Sequence, residues 1–370
     1  RSKAEALDVG ANSRVLICSA STWDPCLGEI WSTLGAGATL CGAPRTAILA
    51  DLGRCIRETS ASHVLATPSL WALVPPSEPL GGLRVLALGG EPMALADARR
   101  WAGMVQRSAS ALGHVGRLFN VFGVTEATVY QTVREVSLEP DEGEGEGAAR
   151  MVLAGLPLPW VSLALAAPEG VAAASADGAG EVLVGGVQLA IGYWRRPDLN
   201  RAKFVELEDS ELLCSWEGSH VPRRGAAGPR RRRWFRTGDL GVRESGELRI
   251  LGRLDAQIKV RGMRVEPGEV EAAARLSPLV GAAAVASHGG ALVLYVVSRV
   301  GRDAFAAGGE AALVAHLASR LPQQLVPSRV VLVEALPLTN GGKLHRAALA
   351  PPPPPKTSAG GANGSGGGGY

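Results

Sequence analysis

Carboxylates and guanidinium groups crowd one stretch of this chain, Trp234 to Glu271, which reads WFRTGDLGVRESGELRILGRLDAQIKVRGMRVEPGEVE. Gly238 lets the backbone turn tightly, and Asp239 is expected to follow on a loop. A loop carboxylate is a natural bidentate acceptor for the two hydroxyls of a ribose. Arg253, Lys259, Arg261 and Arg264 then place four cations on a segment that also holds Gly252 and Gly262. Cations beside permissive backbone suit a polyphosphate. Taken singly, each charge reads as part of a solvated hairpin with ordinary salt bridges.

Such groups need a scaffold. RVLICSA (14–20), GATLCGA (37–43), SHVLATP (62–68) and LRVLALGG (83–90) are short apolar runs ending in small or turn residues, the mark of strands. Pro25 to Leu34 and Thr46 to Thr59 read as helices between them. This alternation predicts a mostly parallel, doubly wound sheet, whose ligands collect at the carboxyl ends of the strands. After LALGGE, Pro92 suits a first helical turn, and Leu95, Ala98, Trp101, Met104 and Val105 form a core-facing stripe. GEVLVGG (180–186) reads as another strand, and Glu206 to Arg233 as an irregular insert.

Beyond Asp255 the pattern changes. The hairpin-like QIKVRGMRVEP precedes a helix at Gly268–Arg275, strands at 281–287 and 291–298, a helix near 310–321 and a strand at 329–333. The expected organisation is a large α/β domain over 1–254, a small α+β domain over 255–350 and a Pro/Gly-rich linker over 351–370.

Composition sets bounds. With 370 residues, 46% hydrophobic and 20% charged, the chain is long and apolar enough for two packed domains. A net charge of +3 is too small to argue for nucleic acid or a membrane surface. Five cysteines without metal spacing or CxxC fit reduced thiols and a cytoplasmic location. No apolar run approaches the roughly 18 residues of a membrane helix. The chain starts at Arg1 inside what reads as a domain, so a fragment is expected, with the large domain incomplete at its N-terminus.

The order RTGD, then GRLDAQIKVRGMRVEPGEVE, with NVFGVTE at 120–126, resembles the adenylate-forming enzymes: acyl-CoA synthetases, adenylation domains of nonribosomal peptide synthetases, and luciferases. Those enzymes join a carboxylate to AMP using ATP, and most pass the acyl group to a thiol. The resemblance covers roughly Val15 to Leu349. It implies ATP and Mg²⁺ as cofactors. The implied acceptor is a phosphopantetheine thiol, on CoA or on a carrier domain in cis or trans.

The resemblance assigns roles residue by residue. NVFGVTE is similar to NxYGxTE, with Asn120 and Gly123 in place and Phe122 for the usual Tyr. The ring keeps a face to stack on adenine and lacks the hydroxyl. Thr125 would donate to an α-phosphate oxygen, and Glu126 would hold Mg²⁺, a hard cation that wants oxygen ligands. LGGE (88–91) is similar to the adenine-edge loop, with Gly89, Gly90 and Glu91. Asp239, Arg253 and Arg264 would complete the nucleotide site. GEVLVGGVQLAIGYWRRPDLNRAKF (180–204) matches a segment expected to be architectural.

TWDPCLGEIW (22–31) resembles FDxSxxEI, where amino-acid-activating members carry an aspartate that pairs with the substrate's amino group. Asp24 fits that role, or that of an N-cap for the helix after Pro25. Val129 and Tyr130 fall where pocket residues follow the TE pair, and a bulky Tyr130 favours a small substrate. The whole combination looks most like the β-alanine-activating enzymes. LPLTNGGKLHR (336–346) resembles LPLTPNGKxDR, with Gly341 for Asn and His345 for Asp. Lys343 then matches the lysine that serves adenylation. Asp255 matches the hinge about which the small domain rotates, and Gly262 the path of the thiol.

Two patterns are missing: a TSGTTGxPKG-like phosphate loop, expected upstream of Val15, and a carrier serine motif after Lys343. Two other readings stay open: a fatty-acyl or aryl ligase, against which Asp24 argues, and a non-catalytic remnant that binds nucleotide or a partner.

Overall fold

Short runs of Val, Leu and Ala become β1 (Arg14–Leu16), β2 (Thr39–Cys41), β3 (His63–Ala66), β4 (Val85–Gly89) and β5 (Arg117–Phe122). They lie parallel in the order β2-β1-β3-β4-β5, and β6 (Thr132–Glu135) and β7 (Leu156–Pro157) continue the sheet antiparallel. The computed structural model describes residues 1–138, 151–167, 178–218, 231–254, 258–260, 263–288, 290–337 and 344–352. The chain divides into two units, Arg1–Arg264 and Val265–Tyr370.

All of β4 is buried, as a strand covered on both faces must be. The helix Leu95–Ser110 buries Ala98, Trp101, Met104 and Val105 in the same core as Leu86, Leu88 and Leu118. Fully burying each large side chain contributes about 1.5–3 kcal/mol. Cys18, Cys41 and Cys55 sit in this core, and all five cysteines are free thiols.

Two helix expectations need correction. The helix foreseen over 46–59 is two, Arg45–Ala50 and Leu52–Glu58. Asp51 leaves the helical region (φ −159°, ψ 84°), and its carboxylate accepts the Arg54 N–H at 2.9 Å. An N-cap there outcompetes continuity. Pro92 does not open its helix, which starts at Leu95. Ala94 is extended because it bridges Met151, and the Val152 amide donates to the Met93 carbonyl at 2.9 Å.

A second, antiparallel sheet was hidden in the sequence. It contains β8 (Val161–Ala166), β9 (Gly180–Gly186), β10 (Phe204–Leu207), β11 (Leu212–Glu217), β12 (Arg232–Glu244) and β13 (Glu247–Arg253). The order is β10-β12-β9-β8-β11, with β13 on β12. The supposed insert at 206–233 thus supplies parts of β10, β11 and β12. Side chains alternate between faces. Leu163, Leu165, Val182, Val184 and Phe235 share a core with Val85, Phe119 and Val121 of the first sheet. Ala164, Leu183 and Trp234 form a separate cluster with Val205 and Leu207.

The other unit opens with the helix Pro267–Arg275. A short ribbon, β14 (Ile258–Val260) with β15 (Met263–Val265), precedes that helix. β16 (Val280–His288) pairs antiparallel with β17 (Ala291–Ser298), and β18 (Arg329–Leu332) pairs parallel with β17. The helix Glu310–Ala318 buries Leu313 and Leu317. Glu271, buried in the first of these helices, accepts from the Val285 amide at 2.9 Å and from Arg346. Among the described residues no helix is long and apolar enough to cross a membrane.

His63 in β3 gives the fold a pH dependence. Its Nε2 lies 3.1 Å from the Asp8 carbonyl, which can only accept, so Nε2 carries the proton. Nδ1 then accepts from the Ser62 hydroxyl at 2.8 Å. Burial of the ring pushes its pKa down to about 4. Between the unfolded value near 6.5 and that value, the unfolded chain binds a proton that the folded chain refuses. Stability therefore falls as pH falls through this window, by about 3 kcal/mol from this group. His63→Asn should lose less stability than the parent in urea melts run from pH 6.5 to 4. Parallel losses would show a charged His63 in the native state.

Candidate functional site

The carboxyl ends of β1, β3, β4 and β5 converge on a cavity of about 80 Å³. Ser19, Leu65, Ala66, Gly89, Gly90, Val121, Gly123 and Val124 form its strand-end wall, and Trp23, Asp24, Pro25, Thr125, Val129, Tyr130 and Arg253 complete it. Of the residues singled out in the sequence, Asp24, Gly89, Gly90, Gly123, Thr125, Val129, Tyr130 and Arg253 meet here.

Asp24 stands at the N-cap position of the helix Pro25–Gly35, yet its side chain makes no capping bond. Oδ1 accepts from the Thr125 hydroxyl and Oδ2 from the Val129 amide, both at 2.8 Å. Burial pushes its carboxyl above the ordinary range, while these two bonds pull it back. The Thr125 hydroxyl proton is therefore directed at Asp24, where the sequence placed a phosphate oxygen. Lys3, which the sequence did not flag, donates to the Thr128 carbonyl, and its ammonium lies 5.5 Å from the Tyr130 ring centroid. Burial lowers its pKa to about 8, against the attraction of Asp24. Burial also pushes the Tyr130 phenol well up.

The glycines are forced by close backbone approach. A Cβ on Gly123 would stand 2.3 Å from both Tyr130 Cα and the Val129 carbonyl oxygen, and one on Gly89 would stand 2.5 Å from the Val121 carbonyl oxygen. Gly90 adopts φ +83°. Glu91 accepts from the Ser69 amide at 2.9 Å. Asn120 is buried and donates to the Leu153 carbonyl at 2.8 Å. Phe122 packs in the core with Val121 and Val124 and is not among the residues lining the cavity.

Asp239 is not on a loop. It lies within β12, on a bulge. Arg236 pairs with Leu183 and Leu240 with Glu181, so Thr237, Gly238 and Asp239 all face Val182. Gly238, at φ +76°, makes the bulge possible. On the other edge Asp239 pairs with Arg253 of β13. Arg253 donates to Asp239 Oδ1 at 2.8 Å and to the Thr237 carbonyl at 3.0 Å. Asp239 is 2% exposed, and its Oδ2 is buried with no hydrogen-bond partner among the described residues, so it can accept one more bond. Glu181 of β9 locks the bulge, accepting from Arg236 at 2.7 Å and from the Gly238 amide at 3.1 Å.

Residues 2–194 match the family model for AMP-binding enzyme, and residues 269–343 match that for AMP-binding enzyme C-terminal domain. The chain belongs to the AMP-binding enzyme family. It is 34% identical over 356 residues to novobiocin biosynthesis protein H of Streptomyces niveus, covering 94% of this chain and 52% of that protein. It is also 34% identical over 352 residues to phosphinothricin tripeptide synthetase PhsC of Streptomyces viridochromogenes, covering 91% of this chain and 28% of that one. The structure of holo-PA1221, an NRPS protein containing adenylation and PCP domains, superposes with a TM-score of 0.68 at 29% identity. That match covers 92% of this chain and 53% of the other. The AMP-binding chain thus has the adenylation-domain fold, a large α/β domain plus a small C-terminal domain. It spans about half the length, or less, of these relatives.

In this member of the AMP-binding enzyme family Glu126, next to Thr125 of the cavity wall, is buried, and the Tyr193 hydroxyl donates to its Oε1. Among the described residues no group of three or more His, Cys, Asp or Glu is arranged to hold a metal alone. An ion at Glu126 would need further oxygens from a ligand, which suits Mg²⁺ with phosphates. Asp255, Gly262 and Lys343 lie outside the described residues, as does Arg261, and the side chains of Lys259 and Arg264 are not described. Sequence reading missed Glu29. It accepts the Cys18 and Ser19 amides at 3.0 and 3.3 Å and so fixes the loop that brings Ser19 to the cavity. Burial raises its pKa to about 8. The acidic residue in TWDPCLGEIW, at the Glu of FDxSxxEI, was the available signal. Tyr193 and Glu181 likewise lay in the segment read as architectural.

Proposed function

We propose that this chain carries the nucleotide and substrate sites of an enzyme that joins a small carboxylate to AMP at the expense of ATP. The acyl group then passes to a phosphopantetheine thiol. Family membership supports the first step. The adenylation and PCP domains combined in holo-PA1221 support a carrier-borne thiol as acceptor.

The chain's own residues suit the tasks. Asp239 Oδ2 can accept a ribose hydroxyl, while Arg253 holds the carboxylate in place through Oδ1. Gly89 and Gly90 let backbone approach a flat base. Glu126, with phosphate oxygens, would hold Mg²⁺, which neutralises phosphate charge when bound. In the same reading Lys343 supplies a cation for adenylation, Asp255 the hinge and Gly262 the thiol path, roles that rest on motif resemblance.

The observation that carries the reading is Asp24. It lines the same cavity as Gly89, Gly90 and Arg253, and each of its oxygens accepts one fixed bond, leaving acceptor capacity for an ammonium. Tyr130 in the wall favours a short substrate such as β-alanine. The test is amino-acid-dependent exchange of pyrophosphate into ATP by the full-length protein. β-Alanine should stimulate exchange, and Asp24→Ala should abolish the stimulation. Stimulation by medium-chain fatty acids that survives Asp24→Ala would sink the amine reading.

A further inference from the structure

The loop at 187–196 clasps the turn that carries Thr125 and Glu126. Three contacts hold it there. The Tyr193 hydroxyl donates to Glu126 Oε1. The Ala190 amide donates to the Glu126 carbonyl at 2.8 Å. The Thr128 hydroxyl donates to the Gln188 carbonyl at 2.9 Å. The clasped turn is strained, since Thr128 (φ +65°) and Val129 (φ +70°) are β-branched residues in the left-handed region. Such a conformation persists only where the surroundings over-determine it.

The clasp is itself anchored. Tyr193 N donates to Asn200 Oδ1 at 2.6 Å, and Asn200 Nδ2 returns to the Tyr193 carbonyl at 3.0 Å. Arg233 donates to the Ala190 and Ile191 carbonyls at 2.8 and 2.7 Å. The Tyr193 ring meets Phe204 edge-on at 5.7 Å, and Phe204 meets Phe235 at 5.0 Å. Phe235 is fully buried in β12, the strand that also carries Asp239. A ladder of rings therefore runs from the Glu126 carboxylate to the strand of Asp239.

We infer that Tyr193 is a positioning residue, whose hydroxyl orients the Glu126 carboxylate toward the magnesium–nucleotide complex. This rests on the role given to Glu126 above. The ring alone would serve packing, and the hydroxyl serves direction. A hydroxyl that donates to one carboxylate oxygen fixes the direction in which the whole group points.

Tyr193→Phe keeps the ring and removes the hydroxyl. Calorimetric titration of a non-hydrolysable ATP analogue into the full-length protein, at stepped Mg²⁺ concentrations, reads the effect. The half-saturating Mg²⁺ concentration should rise about tenfold, the scale of one lost charge-assisted bond. AMP binding without Mg²⁺ should stay unchanged. An unshifted Mg²⁺ requirement, or equal weakening of AMP binding, would overturn the positioning role. Glu126→Gln separates the two layers. If it too leaves the Mg²⁺ dependence unchanged, the role of Glu126 fails. If Glu126→Gln shifts it and Tyr193→Phe does not, only the role of Tyr193 fails.

Discussion

Arg253→Ala should lower the free energy of unfolding by about 3–5 kcal/mol, the usual cost of stranding one partner of a buried ion pair. The side chains of Arg253 and Asp239 are only 15% and 3% exposed, so solvent cannot replace the lost guanidinium. The Thr237 carbonyl loses a donor at the same time. Asp239 carries the bulge, so its carboxylate cannot turn outward without unpairing β12 from β13. The double variant Asp239→Asn, Arg253→Met should recover much of the loss, because neither residue then leaves a charge buried. Urea melts monitored by Trp fluorescence decide the matter. A loss below about 1 kcal/mol would mean that the pair behaves like an exposed one. AMP binding separates stability from recognition: the double variant should fold and still bind AMP poorly.

Gly123→Ala should damage the site more than its single methyl suggests. The new Cβ would meet backbone on both sides, Tyr130 Cα and the Val129 carbonyl oxygen, each at 2.3 Å. Backbone cannot swing aside as a side-chain tip can, so the 129–130 segment must shift. That segment lines the cavity and bonds Asp24 through the Val129 amide. Overpacking of this kind costs about 1–3 kcal/mol of stability. A displacement near 1 Å costs about a hundredfold in rate. Pyrophosphate exchange by the full-length variant should fall accordingly. Gly35→Ala is the control, since a Cβ there meets nothing within 4 Å. Equal effects of the two substitutions would rule out the steric account.

Much of this was legible in the chain. The parallel strands β1 to β4 were visible because each is a short apolar run closed by Gly, Ser or Pro. The break at Asp51 was not, because Asp is tolerated on an exposed helix turn and only its own dihedrals reveal the cap. The second sheet was largely missed. β10 and β11 are short, and their pairing partners lie far away in sequence, β12 for one and β8 for the other. Asp24, Gly123 and Arg253, singled out by charge or special backbone, meet at one cavity. Residues that act through another residue were missed: Glu29 through the Ser19 amide, Tyr193 through Glu126, Glu181 through Arg236. Their types are unremarkable, and their meaning comes only from what lies opposite them.

The bulge in β12 also sets how that strand breathes. In an ordinary ladder an amide proton exchanges with solvent only when neighbouring strands part. The Gly238 amide is instead tied to the Glu181 carboxylate, and the Asp239 amide to the hydroxyl of Thr237 at 3.0 Å. Rotation of a side chain can free either proton while β9 and β12 stay zipped. Isotope uptake at Gly238 therefore tracks the Arg236–Glu181 contact, uptake at Asp239 tracks the Thr237 side chain, and flanking amides such as those of Phe235 and Val242 track the sheet.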